Sequence, residues 1–170
     1  MKDNIILIGF MGAGKTSVGQ VLSEDGQRVF LDTDRLIEEK AGMAVSRIFA
    51  ENGEAAFRQM ETELLRKLIR QTEHAVISVG GGLPLRQENR SLLKELGTVV
   101  YLKVKPETVL ARLKGDTTRP LLQGENVEEK VRSLMDARGP VYEEAAHLIV
   151  QTDGRTLQEI AEEICGGMVR

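Results

Sequence analysis

Residues 9–16 of the chain, GFMGAGKT, match the pattern G-x-x-x-x-G-K-[ST], which is typical of a loop that binds polyphosphate. Glycine lets the backbone curve closely around phosphate oxygens, and amide N–H groups at the start of a helix supply hydrogen-bond donors. Lys15 is spaced to reach the β- and γ-phosphates, and the Thr16 hydroxyl is a suitable ligand for Mg²⁺. The stretch predicts a magnesium–polyphosphate site, and a chance glycine-rich turn is the alternative.

Asp32 and Asp34 stand at the end of a predicted strand, where ligands bind to open parallel sheets. At positions i and i+2 of an extended segment, the two carboxylates would point the same way. One can hold Mg²⁺ directly or through water, and the other can accept a proton or hydrogen bond from an acceptor hydroxyl. The alternative is that one of them caps the helix predicted over 34–42, and the two roles are compatible.

Arginines supply the positive charge that phosphoryl transfer needs. Arg119 lies in a segment rich in helix breakers, 114–120, and resembles an arginine finger supplied within the chain. A solvated loop charge is the alternative. Arg58 and Arg138 could each grip the carboxylate of a small anionic acceptor bidentately. Alternatively, Arg58 pairs with glutamates on its own helix, and Arg138 interacts with a helix dipole before Gly139.

Gly80, Gly81 and Gly82 follow a predicted buried strand. Three glycines at the carboxyl end of a strand indicate that the backbone closely approaches another group, and the position favours a ligand. A tight strand-to-helix turn is the simpler alternative.

The elements that position these residues alternate between strands and helices. This alternation predicts an α/β domain with a parallel sheet and helices on both faces. Strands are predicted at 4–9, 28–32, 75–79, 99–104 and 147–150, and helices at 14–24, 34–42, 46–52, about 54–71, 106–113, 127–138 and from a capping box at 156–159 onward.

Composition excludes several classes of function. The chain has 170 residues, the length of one domain, and a net charge of −3, which argues against nucleic acid as an obligate partner. The one cysteine, Cys165, is expected to be a small core residue, and its isolation predicts a reducing compartment. With no signal peptide and no segment long enough to cross a membrane, we expect a cytoplasmic protein. No long exposed apolar stripe is evident in the sequence, so a monomer is expected.

Taken together, these segments resemble the shikimate kinase family, within the nucleoside monophosphate kinase-like group of P-loop proteins. The resemblance covers essentially the whole chain. The segments that carry it are residues 9–16, Asp32-Thr33-Asp34, Phe57-Arg58 with Glu61, Gly80-Gly81-Gly82, Arg119-Pro120-Leu121-Leu122 and Arg138-Gly139-Pro140-Val141-Tyr142.

The resemblance implies a reaction and a fold. Family members transfer the γ-phosphate of ATP to the 3-hydroxyl of shikimate, with Mg²⁺, on the route to chorismate and the aromatic amino acids. The implied fold is a single three-layer P-loop kinase domain over residues 1–170, with five parallel strands in the order 2-3-1-4-5. An acceptor-binding segment is expected over about 33–61 and a mobile lid over about 114–125.

The resemblance also implies a role for each residue that matches the family pattern. ATP would be bound by Gly12, Ala13, Gly14, Lys15, Thr16, Ser17, Arg112 and Arg119, with Arg112 against the adenine. Thr16 and Asp32 would hold Mg²⁺. Shikimate would be bound by Asp34, Arg58, Gly80, Gly81, Gly82 and Arg138, with Glu61 orienting Arg58. Catalysis would rest on Asp34, Lys15 and Arg119.

Two competing functions are considered. One is another small-molecule kinase of the same fold, acting on gluconate or a nucleoside monophosphate, which acceptor choice at fixed ATP would reveal. The other is a non-catalytic ATP-binding domain. That domain would be expected to lack the P-loop lysine, Asp34 or the arginine of the lid, and all three are present.

Overall fold

A computed structural model describes residues 2–114 and 126–168 of the chain. Five strands form one sheet in the order β2-β3-β1-β4-β5, and every paired strand runs parallel. The predicted α/β class and strand order are confirmed. The strands are β1 (Ile5–Ile8), β2 (Val29–Asp32), β3 (Ala75–Ser78), β4 (Thr98–Lys103) and β5 (Leu148–Gln151).

Helices pack around the sheet. Thr156 and Glu159 form the predicted capping box, because each backbone N–H donates to the other's side chain, at 3.2 and 3.1 Å. Among the described residues, no helix is both long and apolar enough to cross a membrane. The helices are α1 (Lys15–Gly26), α2 (Thr33–Ala41), α3 (Val45–Asn52), α4 (Glu54–Gln71), α5 (Gln87–Leu96), α6 (Pro106–Leu113), α7 (Val127–Ala145) and α8 (Leu157–Met168).

The central strand β1 is apolar throughout because it lies between β3 and β4 with both faces covered. Each residue of Ile5–Ile8 is buried. The register pairs Leu7 with Ser78 on one side of β3, and Asp32 with Ser78 on the other. The segments that follow β1, β2 and β3 therefore leave the sheet at the same edge, which brings three loops together.

Helix α7 is longer than predicted. The expected boundary at 138 rested on Pro140, because proline lacks a backbone donor and disfavours a helix interior. The helix nevertheless continues through Pro140 to Ala145, and it buries Val131 and Tyr142 against the core. Tertiary packing overrides the local signal. Arg138 thus lies inside the helix, and the expectation that it ends a helix is wrong.

Two smaller differences concern local patterns. Pro84 lies at a position that suits the start of a helix, but it belongs to a single turn of 3-10 helix over 83–85, and α5 begins only after Arg86. Cys165 is exposed rather than buried, because Ile164, the preceding residue, carries the inward-facing stripe of α8.

Candidate active site

The P-loop joins β1 to α1. Gly12 and Gly14 have φ angles of 80° and 95°, a left-handed conformation that side chains with a Cβ rarely adopt. The turn is closed by a hydrogen bond from the Ala13 N–H to the Phe10 carbonyl at 3.1 Å. Lys15 Nζ donates to the Phe10 carbonyl at 3.1 Å and to the Gly9 carbonyl at 2.7 Å, so the amine lies along the inside of the loop.

The end of helix α6 packs on the P-loop. Arg112 Nη1 donates to the Gly12 carbonyl at 2.8 Å, and a Cβ on Gly12 would lie 3.4 Å from the Leu113 side chain. Arg112 is therefore beside the phosphate loop, and its predicted contact with adenine stays a prediction. Arg119 lies outside the described residues.

The sequence predicts an extended Asp32-Thr33-Asp34 segment. In the structure, the segment instead turns into helix at Thr33. Asp32 is the N-cap of α2, and its Oδ1 accepts from the N–H groups of Asp34 and Arg35 at 2.9 and 3.2 Å. The capping alternative thus applies to Asp32. Thr33 Oγ1 accepts from the Gly80 N–H at 3.2 Å, which fastens α2 to the loop after β3.

The turn Gly80–Gly82, here called the glycine turn, is surrounded by charged side chains from three helices. A Cβ on the first glycine would lie 2.8 Å from Asp34 Oδ1, one on the second 3.3 Å from Arg138 Nη1, and one on the third 2.2 Å from Arg58 Nη2. None of the three has a φ in the left-handed region, so a side chain is disfavoured here by space rather than by conformation, most strongly at Gly80 and Gly82. The turn therefore gathers the predicted acceptor residues around one stretch of backbone.

Arg58 is held by both of the glutamates that the sequence offered as alternatives to a ligand. Its guanidinium donates to Glu61 at 2.8 Å and to Glu54 at 3.3 Å. The carbon of the guanidinium also lies 5.8 and 5.5 Å from the ring centroids of Phe49 and Phe57. These ion pairs lie next to the glycine turn, so they orient the arginine rather than displace it.

Arg138 reaches the same turn from α7. It is buried, and its guanidinium carbon lies 5.8 Å from the centroid of the Phe10 ring in the P-loop. One turn further along the helix, the Tyr142 hydroxyl donates to the Gly81 carbonyl at 2.6 Å. Burial raises the pKa of Tyr142, which keeps the hydroxyl protonated as a donor. Helix α7 is therefore fixed to both the P-loop and the glycine turn.

Two carboxylates meet at the first glycine of the turn. Within residues 2–114 and 126–168, Asp34 Oδ1 and Glu61 Oε2 are buried and accept no hydrogen bond. Burial raises the pKa of Asp34, the Asp32 carboxylate raises it further, and Lys15 opposes both effects. Burial also raises the pKa of Glu61 to about 7, against the opposing charge of Arg58. Unsatisfied buried acceptors are unfavourable, so both oxygens suit a ligand that donates hydroxyl groups.

Comparison with known proteins identifies the family of the chain. The model of the shikimate kinase family matches residues 11–168. A shikimate kinase from Thermodesulfovibrio yellowstonii is 45% identical over 161 residues, covering 95% of this chain and 92% of the relative. The chain belongs to the shikimate kinase family. One from Symbiobacterium thermophilum is 45% identical over 163 residues, with coverages of 95% and 93%.

Solved structures show the same relationship. The shikimate kinase of Acinetobacter baumannii in complex with shikimate superposes with a TM-score of 0.93 at 41% identity, covering 99% of this chain and 94% of that one. The enzyme from Bacteroides thetaiotaomicron gives a TM-score of 0.88 at 30% identity over the full length of both chains. A gluconokinase from Sinorhizobium meliloti, with a TM-score of 0.56 at 15% identity, shares the fold alone.

The donors available for Mg²⁺ in this shikimate kinase family member are a hydroxyl and a carboxylate. No group of three or more His, Cys, Asp or Glu that could hold a metal ion occurs among the described residues. Thr16 is exposed in the first turn of α1, and one carboxylate oxygen of Asp32 accepts the hydrogen bonds that cap α2. A site of one or two protein ligands, completed by phosphate and water, is what Mg²⁺ ordinarily uses.

Three residues that hold the site escaped the sequence analysis. Thr33 and Tyr142 were noted only as members of matching motifs, and Glu54 only as a surface partner. Their roles depend on which backbone or guanidinium lies opposite them in the fold. The sequence signal that could have pointed to the first two is their position inside motifs that already contained charged ligands.

The raised pKa of Glu61 makes stability depend on pH. Because the pKa of this carboxyl is about 7 when folded and 4.5 ordinarily, its contribution to stability is complete below pH 4.5 and is lost as pH rises through 7. The loss is on the order of 3 kcal/mol. Urea unfolding across this range should show that Glu61→Gln removes the corresponding fall in unfolding free energy. Glu54→Gln, at the exposed partner of Arg58, is the control, and parallel profiles for Glu61→Gln and the unmodified chain would contradict the account.

Proposed function

We propose that the chain transfers the γ-phosphate of ATP to the 3-hydroxyl of shikimate, giving shikimate 3-phosphate and ADP. The observation that carries this is the glycine turn, which gathers two guanidinium groups and a hydroxyl-accepting carboxylate beside a P-loop. Membership of the shikimate kinase family supports the same reaction. The product feeds chorismate and aromatic amino acid biosynthesis.

The nucleotide is bound by the P-loop and the helix that follows it. The backbone N–H groups of Gly12–Thr16, with Ser17 in the first turn of α1, surround the phosphates. When nucleotide binds, the Lys15 amine donates to phosphate oxygens instead of to the loop carbonyls. Arg112, on α6, adds positive charge beside the phosphates. Arg119 keeps the role that the resemblance implies, contact with the phosphates from a lid over about 114–125.

The Thr16 hydroxyl would hold Mg²⁺ together with the Asp32 oxygen that does not cap α2, which would act directly or through water. When bound, the ion neutralises charge that develops on the β- and γ-phosphates. Asp32 therefore serves two purposes, since its capping oxygen fixes the carboxylate while the second oxygen stays available.

The acceptor carboxylate is gripped by Arg58 and Arg138. A guanidinium presents a planar fork of donors that matches a carboxylate bidentately, whereas an ammonium does not. Both arginines are anchored before substrate binds, one by Glu61 and one by the ring of Phe10. Anchoring lowers the entropy lost on binding and fixes the orientation of the acceptor ring.

Asp34 faces the acceptor hydroxyl. Its buried Oδ1 accepts the hydrogen bond that the described residues do not supply, and this aims the hydroxyl at the γ-phosphate. The pKa of the Asp34 carboxylate is also raised towards neutral pH, which suits a general base. Since the transition state of phosphoryl transfer is loose, positioning contributes more than early deprotonation.

The remaining expectations concern assembly and location. We propose a monomer, because few large apolar side chains are exposed among the described residues, and they belong to different elements: Val29, Leu85, Ile149 and Leu157. We also propose a cytoplasmic enzyme, in keeping with its one cysteine.

The function is tested by measuring ADP release from Mg-ATP with shikimate, gluconate, AMP or no acceptor. Release that depends on shikimate supports the proposal. Release that depends on gluconate or AMP would retain the P-loop assignment and overturn the roles of Arg58 and Arg138. Nucleotide binding without release under any condition would instead support a non-catalytic ATP-binding domain.

Asp34→Asn is expected to lower kcat by roughly 10²-fold or more, because a neutral amide holds the acceptor hydroxyl less firmly than a carboxylate does and cannot accept its proton. The dissociation constant for ATP should change little, since Asp34 lies on the acceptor side. Steady-state kinetics and nucleotide titration measure the two quantities. Glu39→Gln, the same charge change at an exposed position of α2, is the control. Unimpaired turnover in Asp34→Asn would remove this residue from the mechanism.

Gly82→Ala is expected to raise the KM for shikimate by roughly tenfold or more, because the new Cβ would meet the Arg58 guanidinium at 2.2 Å. Gly139→Ala provides the comparison. It adds the same methyl group next to Arg138, where no described atom beyond the two chain neighbours and the helix's own backbone lies within 4 Å of the new Cβ. If the two variants had the same KM, the glycine turn would have no part in positioning Arg58.

A further inference from the structure

Beyond the residues that surround the ligand site, a buried polar network joins helix α4 to the segment that follows the glycine turn. Thr62 and Asn89 are both fully buried, and the Thr62 hydroxyl donates to Asn89 Oδ1 at 2.7 Å. Asn89 Nδ2 in turn donates to the Leu83 carbonyl at 2.9 Å. Leu83 directly follows the third glycine, so the network ends where the glycine turn ends.

Helix α5 holds this segment at successive carbonyls. In addition to the bond from Asn89, Arg90 Nη1 donates to the carbonyls of Pro84 and Leu85 at 2.9 and 3.0 Å. Three consecutive carbonyls therefore accept from two neighbouring side chains of one helix. Such a short 3-10 segment has few backbone hydrogen bonds of its own, so α5 determines where it lies.

The other end of the network is on the helix that carries the acceptor arginine. Thr62 follows Glu61 directly, and its hydroxyl oxygen also lies 3.1 Å from the carbonyl of Arg58, one helical turn earlier. Arg86 Nη1 donates to the same hydroxyl oxygen at 3.2 Å. Helix α4 is thus joined to the segment after the glycine turn through the Thr62 hydroxyl, which donates to Asn89 and accepts from Arg86.

We propose that Thr62 and Asn89 are positioning residues for the acceptor site, which set the gap between the Arg58 guanidinium and the glycine turn. The proposal rests on the function proposed above. Neither residue needs to touch substrate. Their hydrogen bonds fix α4 against the segment that follows the turn. The guanidinium of Arg58 fits beside the turn because Gly82 carries no Cβ.

The test separates acceptor binding from nucleotide binding in Thr62→Val, which removes the hydroxyl and keeps a branched side chain. We expect the KM for shikimate to rise about five- to tenfold, as the loss of one buried hydrogen bond allows, while the KM for ATP stays within about twofold. Thr62→Ser keeps the hydroxyl and should restore the KM for shikimate. Ile164→Val, a small core truncation in α8, controls for lost stability.

Asn89→Ser, which shortens the donor away from Leu83, is read in the same way if Thr62→Val does not fold. The proposal is overturned if the two KM values rise together, or if neither rises more than in Ile164→Val. Failure of Thr62→Ser to restore the KM for shikimate would also overturn it. An unmodified chain that does not turn over shikimate would instead contradict the proposed function, so the two failures are distinguishable.

Discussion

Close packing of charged groups against bare backbone is the constraint on which this site depends. At Gly80–Gly82, a carboxylate and two guanidinium groups approach the main chain so closely that a Cβ at any of the three glycines would require a neighbouring charged group to shift. Charged groups are costly to bury unless they are paired. Here Arg58 is paired with Glu61 and Glu54, and the carboxylate of Asp34 keeps an oxygen without a partner among the described residues. This carboxylate oxygen, which can still accept a hydrogen bond, lies where we propose that the acceptor binds.

The parallel sheet makes this arrangement possible by bringing three loops to one edge. The P-loop follows β1, the segment that begins α2 follows β2, and the glycine turn follows β3. Noncovalent contacts then join these loops. The Thr33 hydroxyl accepts from the Gly80 N–H, and the Arg138 guanidinium lies over the Phe10 ring. The P-loop and the glycine turn are thus neighbours as a consequence of strand order, and Lys15 lies near enough to oppose the raised pKa of Asp34.

Much of this followed from local sequence signals. The P-loop was predictable because its glycines, Lys15 and the apolar strand before it are consecutive. The roles of Arg58 and Arg138 were open from residue patterns alone, since their convergence depends on packing between helices far apart in the chain. Thr33 bonds a residue 47 positions away, a contact that no periodicity encodes. The predicted end of α7 before Pro140 was wrong because tertiary burial outweighed the local helix-breaking effect of proline.

The central claim is that the glycine turn presents an acceptor site that recognises a carboxylate with two guanidinium groups. Calorimetric titration of the unmodified chain with shikimate and with its methyl ester tests this most directly, since the ester keeps every ring hydroxyl and replaces the charged carboxylate with a neutral group that is larger by one methyl. The account predicts that the ester binds at least roughly tenfold more weakly, because charge-assisted hydrogen bonds to both arginines are lost. Equal affinity for the two compounds would contradict it.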